Sequence, residues 1–226
     1  MNLEKNRKLV YKENIIDIPH PFVQYKKIIF EGTDGSQIEV DLAIPKSNIK
    51  GVIVDFPEFK VKNKDYLNLT KYSMLDYALA SLHIRGQAGN SENNTPCSHF
   101  PFLDSSSSTP YFNLVFQDAL DTISIIEMLF PNKEILVTGL GQGAAISIVC
   151  ASYYDSVKEL FISDCSLCDI INTYNNNKKA PFFKNIYKFE SDFSNKLDNL
   201  YSTLNSIDIL NFSNSITQKV HYGLSY

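Results

Sequence analysis

Apolar positions along the 226-residue chain recur in short runs that switch between alternation and helical spacing. KKIIFEGTDGSQIEVDLAIP alternates on both sides of Thr33-Asp34-Gly35, the pattern of a hairpin closed by a glycine turn. GVIVDFP, Gly51 to Pro57, is nearly continuous in β-branched and aromatic residues and predicts a strand covered on both faces. DYALASLHIRG, Asp76 to Gly86, predicts the next buried strand, entered from a short helix near Tyr66 to Leu75. From Phe112 to Phe130 apolar residues return at helical spacing (Leu114, Val115, Ala119, Ile123, Ile126, Met128), and Pro131-Asn132 ends the run. A strand over Ile135 to Thr138, a glycine turn, a helix to about Tyr154 and a strand over Leu160 to Ser163 complete the pattern. Strands alternating with helices imply an α/β domain whose mostly parallel sheet is flanked by helices.

The ends and the middle are less regular. The first 20 residues predict an irregular or helical lead-in, with the domain proper starting after residue 25. Gly89 to Pro110, polar and punctuated by NSENN, two prolines and SSSST, predicts a long loop. Asn172 to Tyr226, rich in Asn, Lys and Ser, predicts short helices and a last strand at Gln218 to Tyr222. No internal repeat is present, and the length suits a single domain spanning 1–226.

Composition removes several classes of function. A formal charge of -4 offers no basic excess for the phosphates of nucleic acid. The N-terminus mixes charges without the apolar run of a signal peptide, and no run of about 18 apolar residues could span a bilayer. With four cysteines, too few for a disulfide scaffold, this implies a cytoplasmic protein without membrane contact. Cys165 and Cys168 have a spacing that redox or zinc chemistry could use, but no second pair and no nearby histidine complete a metal set. They read as small buried residues after a strand, and no metal or cofactor is expected.

The turn in EILVTGLGQGAAISIVCA, Glu134 to Ala151, allows two chemistries. Gly139, Gly141 and Ala144 fit the G-x-G-x-x-A of a dinucleotide site, in which backbone N–H groups approach a pyrophosphate and an acid about 20 residues on, here Asp164, holds the ribose. Gly139, Gly141 and Gly143 equally have the spacing of the G-x-S-x-G elbow that presents a nucleophile on a strained strand-to-helix turn, with Gly141 in the serine slot.

Further motifs favour the elbow. HIRGQAGNS, His83 to Ser91, resembles the RGQGGSS motif of the acetyl xylan esterase and cephalosporin C deacetylase family, and GLGQGAA resembles that family's GxSQGG elbow. GSQIEVDLAIP, YFNLVFQDALDTI, LCDI and NSITQKVHYGLSY resemble further family segments, in family order, from about Ile28 to the C-terminus. The resemblance implies an α/β-hydrolase fold, incomplete at its C-terminal end, and an ester hydrolase acting on small acetylated esters or sugars. It also implies an open sheet edge that favours homo-oligomers.

The family reaction runs through a serine acyl-enzyme served by a histidine, an aspartate and backbone oxyanion donors. The resemblance puts Gly141 at the nucleophile and Tyr226 at the aspartate, and leaves the histidine segment without a counterpart. It assigns the oxyanion donors to the backbone N–H groups of Phe59 and Gln142, with Glu58 adding a negative charge beside them. Arg85, Gly86 and Gln87 are expected to brace the surrounding loops. The four histidines are His20, His83, His99 and His221; His83 is expected at a strand end near the elbow, and Ser147 and Ser163 lie off any strained turn. The chain therefore reads as a degenerate, inactive member, or alternatively as an esterase using an unrecognised nucleophile or a partner chain, a nucleotide-binding module or a non-catalytic interaction protein.

Overall fold

A computed structural model describes residues 3–62, 65–95, 110–180, 183–192 and 197–224. Among the described residues eight strands form one sheet in the order β1-β2-β3-β5-β4-β6-β7-β8. β1 (Tyr11–Ile16), β2 (Val23–Glu31), β3 (Gln37–Pro45) and β5 (Tyr77–Leu82) run antiparallel to their neighbours in that half. From β5 onward, β4 (Gly51–Phe56), β6 (Glu134–Leu140), β7 (Val157–Ser163) and β8 (Lys219–Gly223) are parallel, giving four parallel pairings to three antiparallel.

The strands and main helices fall where the apolar runs place them, because each run buries its side chains. α2 (Tyr111–Leu129) carries Phe116, Ala119, Leu120 and Ile123 into the largest core cluster, where α3 (Gln142–Tyr153) adds Ala144, Ile146 and Val149. Beneath β2, β3 and β5 a smaller cluster of Tyr25, Ala43 and Leu79 is capped by Leu69 of α1 (Tyr66–Thr70). The two clusters occupy opposite faces of the sheet, as a layered α/β domain requires. α4 (Ile170–Asn176), α5 (Lys184–Asp192), α6 (Leu197–Ser206) and α7 (Leu210–Ser213) fill the stretch between β7 and β8. Among the described residues no helix is long and apolar enough to cross a membrane.

Two expectations are corrected. The lead-in is not irregular or helical throughout, since Tyr11–Ile16 forms edge strand β1 against β2. Its side chains are largely exposed, which is why no alternation announced it. The segment before it is pinned to α2: the Gln117 side chain accepts from Glu4 N and donates to Glu4 O, both at 2.9 Å, and Arg7 donates to Asp121 at 2.8 Å. The cysteine pair is also not uniformly buried. Burial pushes the Cys165 thiol up to about 12, whereas Cys168 is exposed. The loop expected over Gly89 to Pro110 is irregular as far as Thr95, and its remainder to 109 lies outside the described residues.

Candidate active site

Strand β6 turns into helix α3 at Gly141, whose φ of 58° and ψ of -112° lie where L-residues are strained. The turn is fixed by its own backbone. Gly141 N donates to Ser163 O at 3.1 Å, and Gly141 O accepts from Ser166 N at 3.1 Å and Ala145 N at 3.3 Å.

The three glycines of the turn are there for different reasons. A Cβ on Gly143 would lie 1.9 Å from the Phe56 carbonyl oxygen, and one on Gly139 would lie 2.2 Å from the Gly143 carbonyl carbon. Backbone blocks both, so α3 packs on β4 and on the end of β6 only without side chains there. A Cβ on Gly141 would meet nothing closer than the Glu58 side chain, at 3.3 Å. Close helix–strand packing thus accounts for the outer glycines without a phosphate. Gly141 has the shape of a nucleophile elbow and no side chain with which to attack.

Beside the elbow lies a cavity of about 320 Å³ at the carboxyl ends of β4, β6 and β7, lined by residues that include Asp55, Glu58, Lys62, Thr138, Phe161 and Ser163. Its floor follows from strand register. Asp55 pairs with Thr138 and Thr138 with Phe161, so the three side chains stand in one row on the same sheet face. Asp55 is buried and accepts a hydrogen bond from Ser81 at 3.3 Å. Sequence reasoning missed this row, because a one-residue slip in either pairing would have dispersed it.

Of the assigned oxyanion positions, Gln142 opens α3, where the first N–H groups have no helical partner. Phe59 lies in the loop after β4. The Gln142 amide ties the two together by donating to Pro57 O at 3.2 Å. Gln142 also exchanges hydrogen bonds with Gln87 at 2.9 and 3.0 Å, and Gln87 accepts from Lys60 N and donates to the Tyr111 hydroxyl, both at 2.9 Å. Gly86, at a φ of 62°, turns the chain between Gln87 and Arg85.

Arg85 is fully buried and grips Asp118 through two bonds, Nε–Oδ2 at 2.6 Å and Nη2–Oδ1 at 2.8 Å, while Nη1 reaches Asp34 at 2.7 Å. Burial works against the Asp34 carboxylate, but hydrogen bonds from Thr95, Ser36 and Arg85 outweigh it and hold its pKa well below the usual carboxylate range. Burial pushes the Asp118 carboxyl up to about 6, still ionised at neutral pH because Arg85 pulls against it.

The remaining nucleophile and base candidates are dispersed. His83 follows β5 and is buried, with Nε2 2.8 Å from Asp41 Oδ2 and Nδ1 accepting from Asn90 N at 3.0 Å, so both nitrogens are occupied. His20 accepts from Phe22 N and packs edge-on against Tyr25. His221 stacks face to face on Phe161 at 4.3 Å and is hydrogen-bonded to Glu159 at 2.7 Å. Ser147 is spent on the Gly143 carbonyl within α3. Ser163 shares a neighbouring cavity wall with His221, with no hydrogen bond between them. His99 and Tyr226 lie outside the described residues. Asp164 follows β7 with a φ of 46°, its N–H bonded to Gly223 O. Among the described residues no cluster of three or more His, Cys, Asp or Glu is placed to hold a metal.

A family model described as acetyl xylan esterase (AXE1) matches residues 2–225. The solved acetyl xylan esterase 1 from Thermoanaerobacterium sp. JW/SL YS485 superposes with a TM-score of 0.85 at 16% identity, over 97% of this chain and 82% of that one. The acetyl xylan esterase from Paenibacillus sp. R4 gives 0.81 at 17% identity, over 97% and 83%. An acylaminoacyl peptidase from Pyrococcus horikoshii shares the fold more distantly, at 0.60 and 14% identity, over 91% of this chain and 32% of its own. No curated protein matches the chain. At these identities the solved structures establish an α/β-hydrolase fold.

The Arg85 cluster gives two stability tests. Arg85→Ala would leave Asp118 buried without its cation, and urea unfolding should show a loss of about 3–5 kcal/mol. Asp34→Asn should cost about 2 kcal/mol at neutral pH. Because the folded Asp34 pKa is depressed, its contribution is present above the ordinary value of 3.8 and lost as pH falls below it. The gap between wild type and Asp34→Asn should therefore close in acid, and a gap independent of pH would contradict the assignment.

Proposed function

The chain belongs to the acetyl xylan esterase family, and from that membership we propose that it retains the family's fold and site cavity as one domain but performs no serine-dependent ester hydrolysis. The observation that carries this reading is Gly141: the elbow backbone is in place, at a φ of 58°, and the position of the nucleophile has no side chain.

The surrounding residues support it. An acyl-enzyme needs a hydroxyl, a base within hydrogen-bond reach of it and donors facing a developing oxyanion. The nearest side chain to the elbow is the carboxylate of Glu58, which disfavours negative charge at the acyl carbonyl. The described histidines are held by Asp41, by Phe22 and by Glu159, not by a group at the elbow. Phe59 and Gln142 hold the oxyanion positions in this proposal, Arg85, Gly86 and Gln87 brace their loops, and the cavity takes a small acetylated ester or sugar without turning it over. The same reading carries homo-oligomerisation through β8, whose Val220 and Tyr222 are 44% and 53% exposed at the sheet edge.

Hydrolysis of p-nitrophenyl acetate by the folded protein should not exceed the rate with heat-unfolded chain. A clear rate, with a serine-reactive phosphonate attached to Ser163 or another residue, would overturn the proposal. Gly141→Ser alone should not create turnover, because no described histidine stands at the elbow and the new side chain meets Glu58; acetate release by that variant would reveal a base elsewhere. Light scattering should give a mass above 25.6 kDa, and a monomer would remove the β8 pairing alone.

A further inference from the structure

Three features of the site cavity share one electrostatic sense. Glu58 reaches over the elbow, and its carboxylate has no hydrogen-bond or ion-pair partner among the described residues. Asp55 supplies a second carboxylate from the buried floor, 6% exposed. The third is the ring of Phe161. His221, its register partner on β8, stacks on one face with the planes only 3° apart, so the opposite face is turned toward β6, Thr138 and the cavity. The face of a phenyl ring carries the negative lobe of its quadrupole and attracts cations.

Against these stands Lys62, the sole cationic residue of the lining among the described residues. It is exposed at the rim and forms no ion pair among the described residues. The interior is therefore negative while the rim holds an exposed ammonium. A site built for an acyl oxyanion would have the opposite field.

We propose that this cavity binds an amine-bearing ligand, an alkylammonium group lying between Glu58 and Asp55 and against the part of the Phe161 ring that faces the cavity above Thr138. The hydroxyls of Thr138 and Ser163, on the same walls, supply hydrogen bonds to a polyol frame, so an amino sugar is the fitting class. This rests on the reading of the elbow as non-hydrolytic and adds the ligand's charge. No bond is made or broken. The ammonium exchanges water for two carboxylates and a π face, and anionic sugars are repelled.

Calorimetric titration at neutral pH and low ionic strength with glucosamine, glucose and glucuronate tests it. Glucosamine should bind about tenfold or more tighter than glucose, glucuronate should not bind, and added salt should weaken the glucosamine complex. Glu58→Gln should erase most of the preference for glucosamine, and Phe161→Leu should weaken glucosamine more than glucose. Glu58 is exposed and unpaired, so its variant should keep the wild-type melting temperature and remain a fair test. Equal binding of glucosamine and glucose, no binding of glucosamine, or an unchanged preference in Glu58→Gln would each overturn the proposal. Those outcomes without ester turnover sink the amine assignment alone, whereas turnover through a labelled serine sinks the non-hydrolytic reading whatever the sugars do.

Discussion

The rest of the site depends on how closely α3 approaches β4. With Gly143 packed so that a Cβ would sit 1.9 Å from the Phe56 carbonyl oxygen, the helix N-terminus is driven onto the end of the central strand. The chain between them has room for one turn, and Gly141 absorbs it in a conformation that ordinary residues resist. The cavity, the loop carrying Glu58 and Phe59 and the opening of α3 all take their positions from that contact. Packing at Gly143 and Gly139 thus holds the elbow backbone in place with glycine at its apex.

A second, electrostatic constraint holds the loops around the elbow. Arg85 is fully buried, and two bonds to Asp118 and one to Asp34 fix the end of β5 to α2 and to the β2–β3 turn. A buried cation tolerates little displacement, since any lost bond leaves a charge without water or partner. From that fixed point the Tyr111 hydroxyl reaches the Arg85 carbonyl at 2.6 Å and Gln87 reaches Gln142. The RGQ segment therefore serves shape, tying three elements to one another without touching the cavity wall.

Much of this was legible in the sequence, for identifiable reasons. Buried strands such as Gly51–Phe56 and the long α2 announce themselves because both faces, or one wide stripe, must be apolar. The elbow was legible because glycine spacing reports steric necessity directly. β1 was not, because its residues are exposed and it is held by pairing and by Arg7 and Gln117 at a distance of more than 100 residues. His83 shows the same limit. Its place at a strand end could be read, but Asp41, which occupies its ring nitrogen, comes from a strand 42 residues earlier. The row of Asp55, Thr138 and Phe161 was hidden because three separate strands must adopt one register before it exists.

The charge beside the elbow and the glycine at its apex bear on the same small volume. Glu58 lies 3.3 Å from where a Cβ on Gly141 would stand, so any side chain at that position would touch it. A serine Cβ would therefore press on the present Glu58 conformer, which would have to give by a few tenths of an ångström. The two also conflict in field, because a nearby carboxylate raises the cost of any oxyanion formed beside it. Restoring the hydroxyl would move Glu58 without removing its charge, and neutralising Glu58 would leave an elbow with nothing to attack. In the proposed reading the ligand reacts with nothing and carries positive charge, and the specificity of the site would lie in Glu58 and Asp55 rather than at the apex of the turn.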